Sequence, residues 1–199
     1  IQKHMEELAG ENDVRKCQEI PRRVYSKNRL NFNASPYLKD LVGVDLTKIF
    51  GISELSAMEI ISEVGVDMTK WPSERHFTSW LNLCPNNRIS GGRLLKNKRI
   101  KSKNKAGQAF RMAAYALQRS DHYLGVFYRR MKSKGGAMFA TKATARKLAI
   151  IFYRMVKSGS EFNPISVDEY ERVYKDRKLV YLKKQASKLG LELIPAEAC

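Results

Sequence analysis

Nineteen lysines and arginines lie between Arg88 and Lys157, against a single acid, Asp121. The rest of the 199-residue chain holds 18 bases and 19 acids, so the whole excess behind its formal charge of +17 sits in one continuous block. Charge spread evenly would speak for solubility alone. Gathered into one stretch, it points to a polyanionic partner. Nucleic acid suits that block best. An acidic membrane face and a merely solvated basic face are the competing explanations.

Inside the block stands Cys84-Pro85-Asn86-Asn87-Arg88-Ile89-Ser90-Gly91-Gly92-Arg93. One hydroxyl, Ser90, is followed by two glycines and flanked by arginines. Lys96, Lys98, Arg99, Lys101, Lys103 and Lys105 come next without an acid among them. Glycine lets a backbone approach a ligand closely, and guanidinium forks grip phosphate. A hydroxyl in that company is placed to bind a phosphodiester or to attack one, though a plain turn in a basic loop accounts for the same residues. Few aromatic or amide side chains interleave the lysines, which favours phosphate positioning over base reading.

The remaining pattern is helical. Residues 1–20 read as the end of a longer helix or a frayed terminus, and Pro21 to Ser35 as a linker. Ser35-Pro36 predicts a helix start, with serine as its cap. Gly43, a short helix at 45–50, the turn Gly51-Ile52-Ser53 and a helix from Glu54 to Val64 form a helix-hairpin-helix pattern. Such a hairpin offers backbone N–H groups to phosphate, while an ordinary helical corner is the bland alternative. Phe77, Trp80, Leu81 and Cys84 recur at helical spacing and predict an inward stripe. From Pro85 to about Asn104 the period is lost: Arg88 to Leu95 reads as a loop or a short β-excursion, and an extended, largely irregular basic segment is the favoured expectation. Helices return over 106–117, 123–132 and 140–156, with Gly135-Gly136 as a break. Asp168 to about Leu189 carries acids early and lysines late, as the helix dipole favours. Leu191 to Ile194 suggests a short strand. No low-complexity tract and no internal repeat is read.

Three cysteines, Cys17, Cys84 and Cys199, lack metal-site spacing and imply a reducing compartment without disulfides. His4, His76 and His122 are isolated. No apolar run suits a membrane span. The expected fold is mainly α: a compact helical domain with a helix-hairpin-helix-like motif and an irregular basic loop. The expected boundaries are a spacer remnant or linker at 1–34, the binding domain at 35–160 and a helical extension at 161–199.

From about Leu41 to Pro195 the chain resembles the carboxy-terminal domain of the IS-one-ten family of bacterial insertion-sequence transposases. Gly43-Val44-Asp45-Leu46-Thr47 with Ile52 to Gly65, Trp80 to Pro85 with Ile89-Ser90-Gly91-Gly92, 104–117 and 145–155 carry the likeness. It implies a DNA recombinase that cuts and rejoins strands through a serine–phosphate link, with Ser90 as nucleophile by motif position. Ser53 departs from the family's second turn glycine. The resemblance also implies a RuvC-like domain and a coiled-coil spacer ahead of this segment, of which 1–20 would be the tail. That domain would bring magnesium, so no cofactor is expected in this chain and little activity is expected of it alone. DNA, a RuvC-like domain in cis or from another protomer, a homo-oligomer and a structured guide RNA are the implied partners, in a cytoplasmic, nucleoid-associated setting. The residues expected to bind nucleic acid are Gly51, Ile52, Ser53, Arg88, Gly91, Gly92, Arg93, Lys96, Lys98, Arg99, Lys101, Lys103 and Lys105. A non-catalytic helix-hairpin-helix module, the remnant of a decayed transposon, is the alternative.

Overall fold

Pro36, with φ preset for a helix and no N–H to lose, sits in the first turn of α1 (Ser35–Val42). The computed structural model of the chain describes residue 30 and residues 32–85, 88–95 and 104–194. The cap position before α1 belongs to Ala34 rather than Ser35, and the Ser35 N–H donates to Asn33 Oδ1 at 3.1 Å. Gly43, at φ +81°, ends the helix in the left-handed region that glycine enters without steric cost. A 3-10 turn, Leu46–Lys48, replaces the expected short helix. The Asp45 carboxylate nucleates it by accepting from the Thr47 N–H and hydroxyl at 3.0 and 2.6 Å.

Helix α2 (Glu54–Val64) begins at Ser53, whose hydroxyl accepts from the Ser56 N–H. It buries Ala57, Ile60, Ile61 and Val64 on one face. The same terminator then recurs. Val42-Gly43-Val44-Asp45-Leu46-Thr47-Lys48 is repeated as Val64-Gly65-Val66-Asp67-Met68-Thr69-Lys70. In the second copy Asp67 again accepts from the Thr69 N–H and hydroxyl, at 2.8 and 2.6 Å, and starts a 3-10 turn at Met68–Lys70. The expectation of no internal repeat is therefore wrong. One seven-residue device stops a helix and turns the chain twice.

Helix α3 (Glu74–Trp80) corrects the predicted inward stripe. Phe77 and Leu81 are buried, Cys84 is half-buried, and Trp80 is 40% exposed. Trp80 ends the helix and lies against the rings of Trp71 and Phe77, at 5.1 and 6.5 Å between centroids. Trp71 fills the interior position instead.

The chain then crosses a short antiparallel pair, β1 (Arg88–Ser90) with β2 (Arg93–Leu95), and enters α4 (Lys105–Ala116). Helix α5 (Tyr123–Ser158) runs 36 residues and is folded in two at Gly136, whose φ/ψ of +80/177° is not helical. The fold-back is plain from its contacts. Lys147 Nζ lies 4.4 Å from the Phe127 ring centroid and 5.6 Å from that of Tyr123. Along an unbroken helix those residues would be about 30 and 36 Å apart. The Tyr128 and Thr141 hydroxyls also meet at 3.1 Å across the fold. Arms 123–135 and 137–158 thus form an antiparallel helical hairpin, in agreement with the break read at Gly135-Gly136. Helix α6 (Val167–Lys188) comes next, with no fully buried residue. Residues 191–194 form no strand, which corrects that expectation.

The core lies where α4 and the second arm of α5 meet α2 and α3. Phe152 packs between Phe110 (5.6 Å, edge-on) and Phe77 (6.0 Å, stacked). Burial of these rings supplies most of the non-directional stabilisation here. The Tyr153 hydroxyl donates to the Trp71 carbonyl at 2.8 Å, so a polar atom in the core is satisfied. Leu30, Phe32 and Ala34 also pack on this core. Six helices and one two-stranded hairpin make a mainly α, compact body among the described residues. None of these helices is long and apolar enough to cross a membrane.

Helix α4 reaches the core only because Gly107 has no side chain. A Cβ there would stand 2.4 Å from the Leu81 carbonyl oxygen. Gly107→Ala should cost about 3 kcal/mol, since backbone rather than a flexible side chain must yield. Urea unfolding at pH 7 measures this, and an unchanged midpoint would contradict it.

Candidate nucleic-acid interface

Ser90 and Arg93 are paired across the β1–β2 turn, with Ile89 opposite Leu94 and Arg88 opposite Leu95. Gly91 and Gly92 form the two-residue turn, both at positive φ (57° and 74°). Such mirror-image turns match the twist of the flanking strands and need residues that tolerate the left-handed region. The expectation of an irregular loop is corrected here: residues 88–95 are a tight hairpin. Directly opposed residues place their side chains on one face, so the Ser90 hydroxyl and the Arg93 guanidinium share a side of it. Ser90, Gly91, Gly92, Arg93 and Leu95 are all exposed. No hydrogen bond engages the Ser90 hydroxyl among the described residues.

Lys96, Lys98, Arg99, Lys101 and Lys103 lie outside the described residues. Lys105 is exposed in the first turn of α4. Asn104, nearly buried, caps that helix by accepting from the Gly107 N–H at 2.7 Å, and its amide donates to the Trp80 carbonyl. A second acceptor arrives from α2, where the Glu63 carboxylate takes the Ala106 N–H. The N-terminus of α4 is thus already served by an internal anion. Nothing in the local sequence near Asn104 announces that contact, because Glu63 is 43 residues away from Ala106.

The turn Gly51-Ile52-Ser53 is placed differently from the hairpin. Gly51 has φ +83°, and a Cβ there would lie 2.8 Å from the Ala113 carbonyl oxygen, so the glycine admits α4. The Ile52 side chain is buried and its N–H donates to the Ile49 carbonyl at 3.0 Å. Ser53 is exposed and its hydroxyl is spent on capping α2. Just ahead of this turn, Lys48 pairs with Glu161, and Phe50 stacks on His122 at 3.7 Å and meets Phe162 edge-on at 5.4 Å. The segment from 45 to 53 is therefore anchored to both the start of α5 and the connection leading to α6.

Helix α5 carries nine lysines and arginines and no acid. Arg154 reaches outside it to Glu74, with Nε–Oε2 at 2.7 Å and Nη2–Oε1 at 3.1 Å. Arg129 donates to the carbonyls of Gln118 and Ser120. Arg130 lies 3.6 Å from the Tyr174 ring centroid and donates to the Tyr170 hydroxyl at 3.1 Å. Lys147 sits among Phe127, Tyr123 and Tyr170. Burial, then the charges of Arg177 and Arg130, hold its ammonium below the ordinary lysine range. Burial likewise pushes the Tyr123 phenol up to about 12. Aromatic faces thus stand in for carboxylates, and they fasten α6 to the helical hairpin. Sequence periodicity carries no signal of that arrangement.

Among the described residues no group of three or more His, Cys, Asp or Glu could hold a metal ion. They do not fit a magnesium site, and the resemblance assigns that metal to another domain.

Residues 45–129 match the family described as Transposase IS116/IS110/IS902 family. The match spans the repeated turn, the Ser90 hairpin, α4 and the start of α5. No curated protein matches the chain.

The Arg154 guanidinium beside Glu74 holds that carboxyl below its usual range. A depressed folded pKa means that the contribution is complete above the unfolded value of about 4.3 and disappears as pH falls through the folded one. Because the pair is largely exposed and solvent-screened, Glu74→Gln should cost only about 0.5 kcal/mol at pH 7. That difference should close in the acid range below pH 4. Chemical denaturation of both proteins across this range tests it, and a gap that widens toward low pH would contradict the assignment.

Proposed function

We infer that this chain, whose residues 45–129 match the IS116/IS110/IS902 transposase family, binds DNA through its basic block and presents Ser90 to a backbone phosphodiester. The observation that carries this reading is the Ser90–Arg93 pair beside a turn of two glycines, exposed at the head of the basic run. A buried serine facing the core would have spoken against it.

In the proposed reaction the Ser90 oxygen attacks phosphorus, a serine–phosphate ester forms and the bond to the 3′ oxygen breaks. The hydroxyl gives up its proton and the departing 3′ oxygen takes one, so the exchange is isoenergetic enough to reverse and rejoin strands. Arg93 shares the serine's side of the hairpin and offers two N–H groups to the non-bridging oxygens as charge builds on them. The turn glycines leave no side chain between the hairpin tip and the phosphate. The lysines after Leu95 supply further positive charge along the strand. A base for the serine proton and the help needed by the leaving oxygen belong, on this reading, to a RuvC-like domain acting with the chain. Magnesium held there would stabilise both the attacking and the departing oxygen. Assembly as a homo-oligomer and guidance by a structured RNA extend the same proposal.

Two measurements test it. Fluorescence anisotropy against salt should show affinity falling steeply, with a slope of about −0.9 per phosphate neutralised. Arg93→Ala should reduce the slope by about one contact, and Ser90→Ala should leave it unchanged. Mixed with a RuvC-like half, magnesium and nicked junction DNA, the wild-type chain should form a denaturant-resistant DNA adduct. An adduct that survives Ser90→Ala, or none with the wild type, would overturn the nucleophile assignment.

A further inference from the structure

The turn of the α5 hairpin carries an apolar pair that the fold does not use. Met138 is 78% exposed and Phe139 51% exposed. They stand just beyond the Gly136 fold, while Ala140 and Tyr128 behind them are fully buried and the Tyr128–Thr141 bond ties the arms together. The tip is therefore a firm projection rather than a frayed end. Phe139 also lies close to the backbone: a Cβ on Gly135 would meet its ring atoms at 2.8 Å. Gly135 thus lets one side of the ring lie on the backbone, and about half of the residue stays open to solvent.

The surroundings of this tip carry one sign of charge. Lys132, Lys134 and Lys142 are all exposed, and among the described residues none of them makes an ion pair. No acid occurs anywhere in α5. A second copy of this tip would bring like charges together, and an ordinary apolar protein surface would leave the lysines without partners. A nucleic acid satisfies both halves of the patch: phosphates for the lysines and the π-face of an unstacked base for the ring. Apolar side chains inserted at a base step are an established way for proteins to hold distorted duplexes. A ring that already rests on the Gly135 backbone on one side would lose less freedom on stacking than one standing free.

We propose that the α5 hairpin tip is a wedge that inserts Phe139, with Met138 beside it, at an unpaired or distorted step of DNA while Lys132, Lys134 and Lys142 hold the flanking phosphates. This rests on the DNA-binding reading above, but it concerns a surface separate in sequence from the Ser90 hairpin and does not require Ser90 to react.

The test uses the full chain and two duplexes of one sequence, one fully paired and one with a short bulge flanked by 2-aminopurine. Wild type should bind the bulged duplex more tightly and change the 2-aminopurine fluorescence. Phe139→Ala should remove that change and weaken binding to the bulge by about tenfold, with little effect on the paired duplex, and Phe139→Trp should restore both. Met138→Ala should give a smaller loss in the same direction. Lys134→Gln should weaken binding to both duplexes and lower the salt slope. Circular dichroism should be unchanged throughout, because both apolar side chains are exposed. A bulge preference and fluorescence change that survive Phe139→Ala overturn the wedge while leaving DNA binding standing. Absence of affinity for either duplex overturns DNA binding and the wedge together. If Phe139→Ala instead abolishes self-association in sedimentation, or vesicle binding, without touching the bulge preference, the patch belongs to that partner and the proposal fails.

Discussion

Positive charge without nearby negative charge is the condition that this structure has to meet. Between Arg88 and Lys157 only Asp121 is acidic, so cations there cannot be neutralised by neighbours along the chain. The fold engages several of them by other means. Arg129 is held by carbonyl oxygens, Arg130 and Lys147 by tyrosine and phenylalanine faces, and Arg154 by a glutamate from α3. For the partly buried Arg130 and Lys147 the ring faces offset the cost of moving a charge away from water, whereas Arg129 and Arg154 stay largely exposed. Cations such as Arg93, Lys105 and Lys134 are left exposed, which gives a surface of one sign ready for a polyanion.

This arrangement gives the aromatic residues two distinct tasks. Phe77, Phe110, Phe152 and Trp71 make the core, where area removed from water dominates. Tyr123, Phe127, Tyr170 and Tyr174 make a second cluster around Lys147 and Arg130, where the quadrupole of each ring matters as much as its area. Helix α6 depends on the second cluster, having no fully buried residue of its own.

Glycine marks the places where backbone meets backbone or turns sharply. Gly51 and Gly107 admit close backbone contact between α4 and its neighbours, which explains why the turn before α2 cannot be understood from ligand contact alone. Gly91 and Gly92 close the serine hairpin. This last feature had a sequence signal, since a glycine pair between short runs is a hairpin cue. It is obscured because each strand has only three residues, too few to display alternation. The repeat Val-Gly-Val-Asp-x-Thr-Lys is fully legible in the sequence, because both copies keep the same residue types at the same spacing. Trp80 was misplaced for a different reason: helical periodicity assigns a face but not the last residue of a helix, and α3 stops there.

What the amino-acid sequence determined by itself is local: the mainly helical character, the breaks at Gly43, Gly65 and Gly135-Gly136, the location of the charge and the presence of a serine among arginines. These come from backbone propensities and from the order of charges, which need no partner across space. Tertiary structure alone decided that the two arms of α5 fold back on each other and that Glu63 closes the start of α4. It also decided that Phe139 lies against Gly135 in the open. A break in a helix sets no direction for the next segment. That direction was chosen by which apolar faces could be buried together and by which rings could receive cations that had no carboxylate to meet.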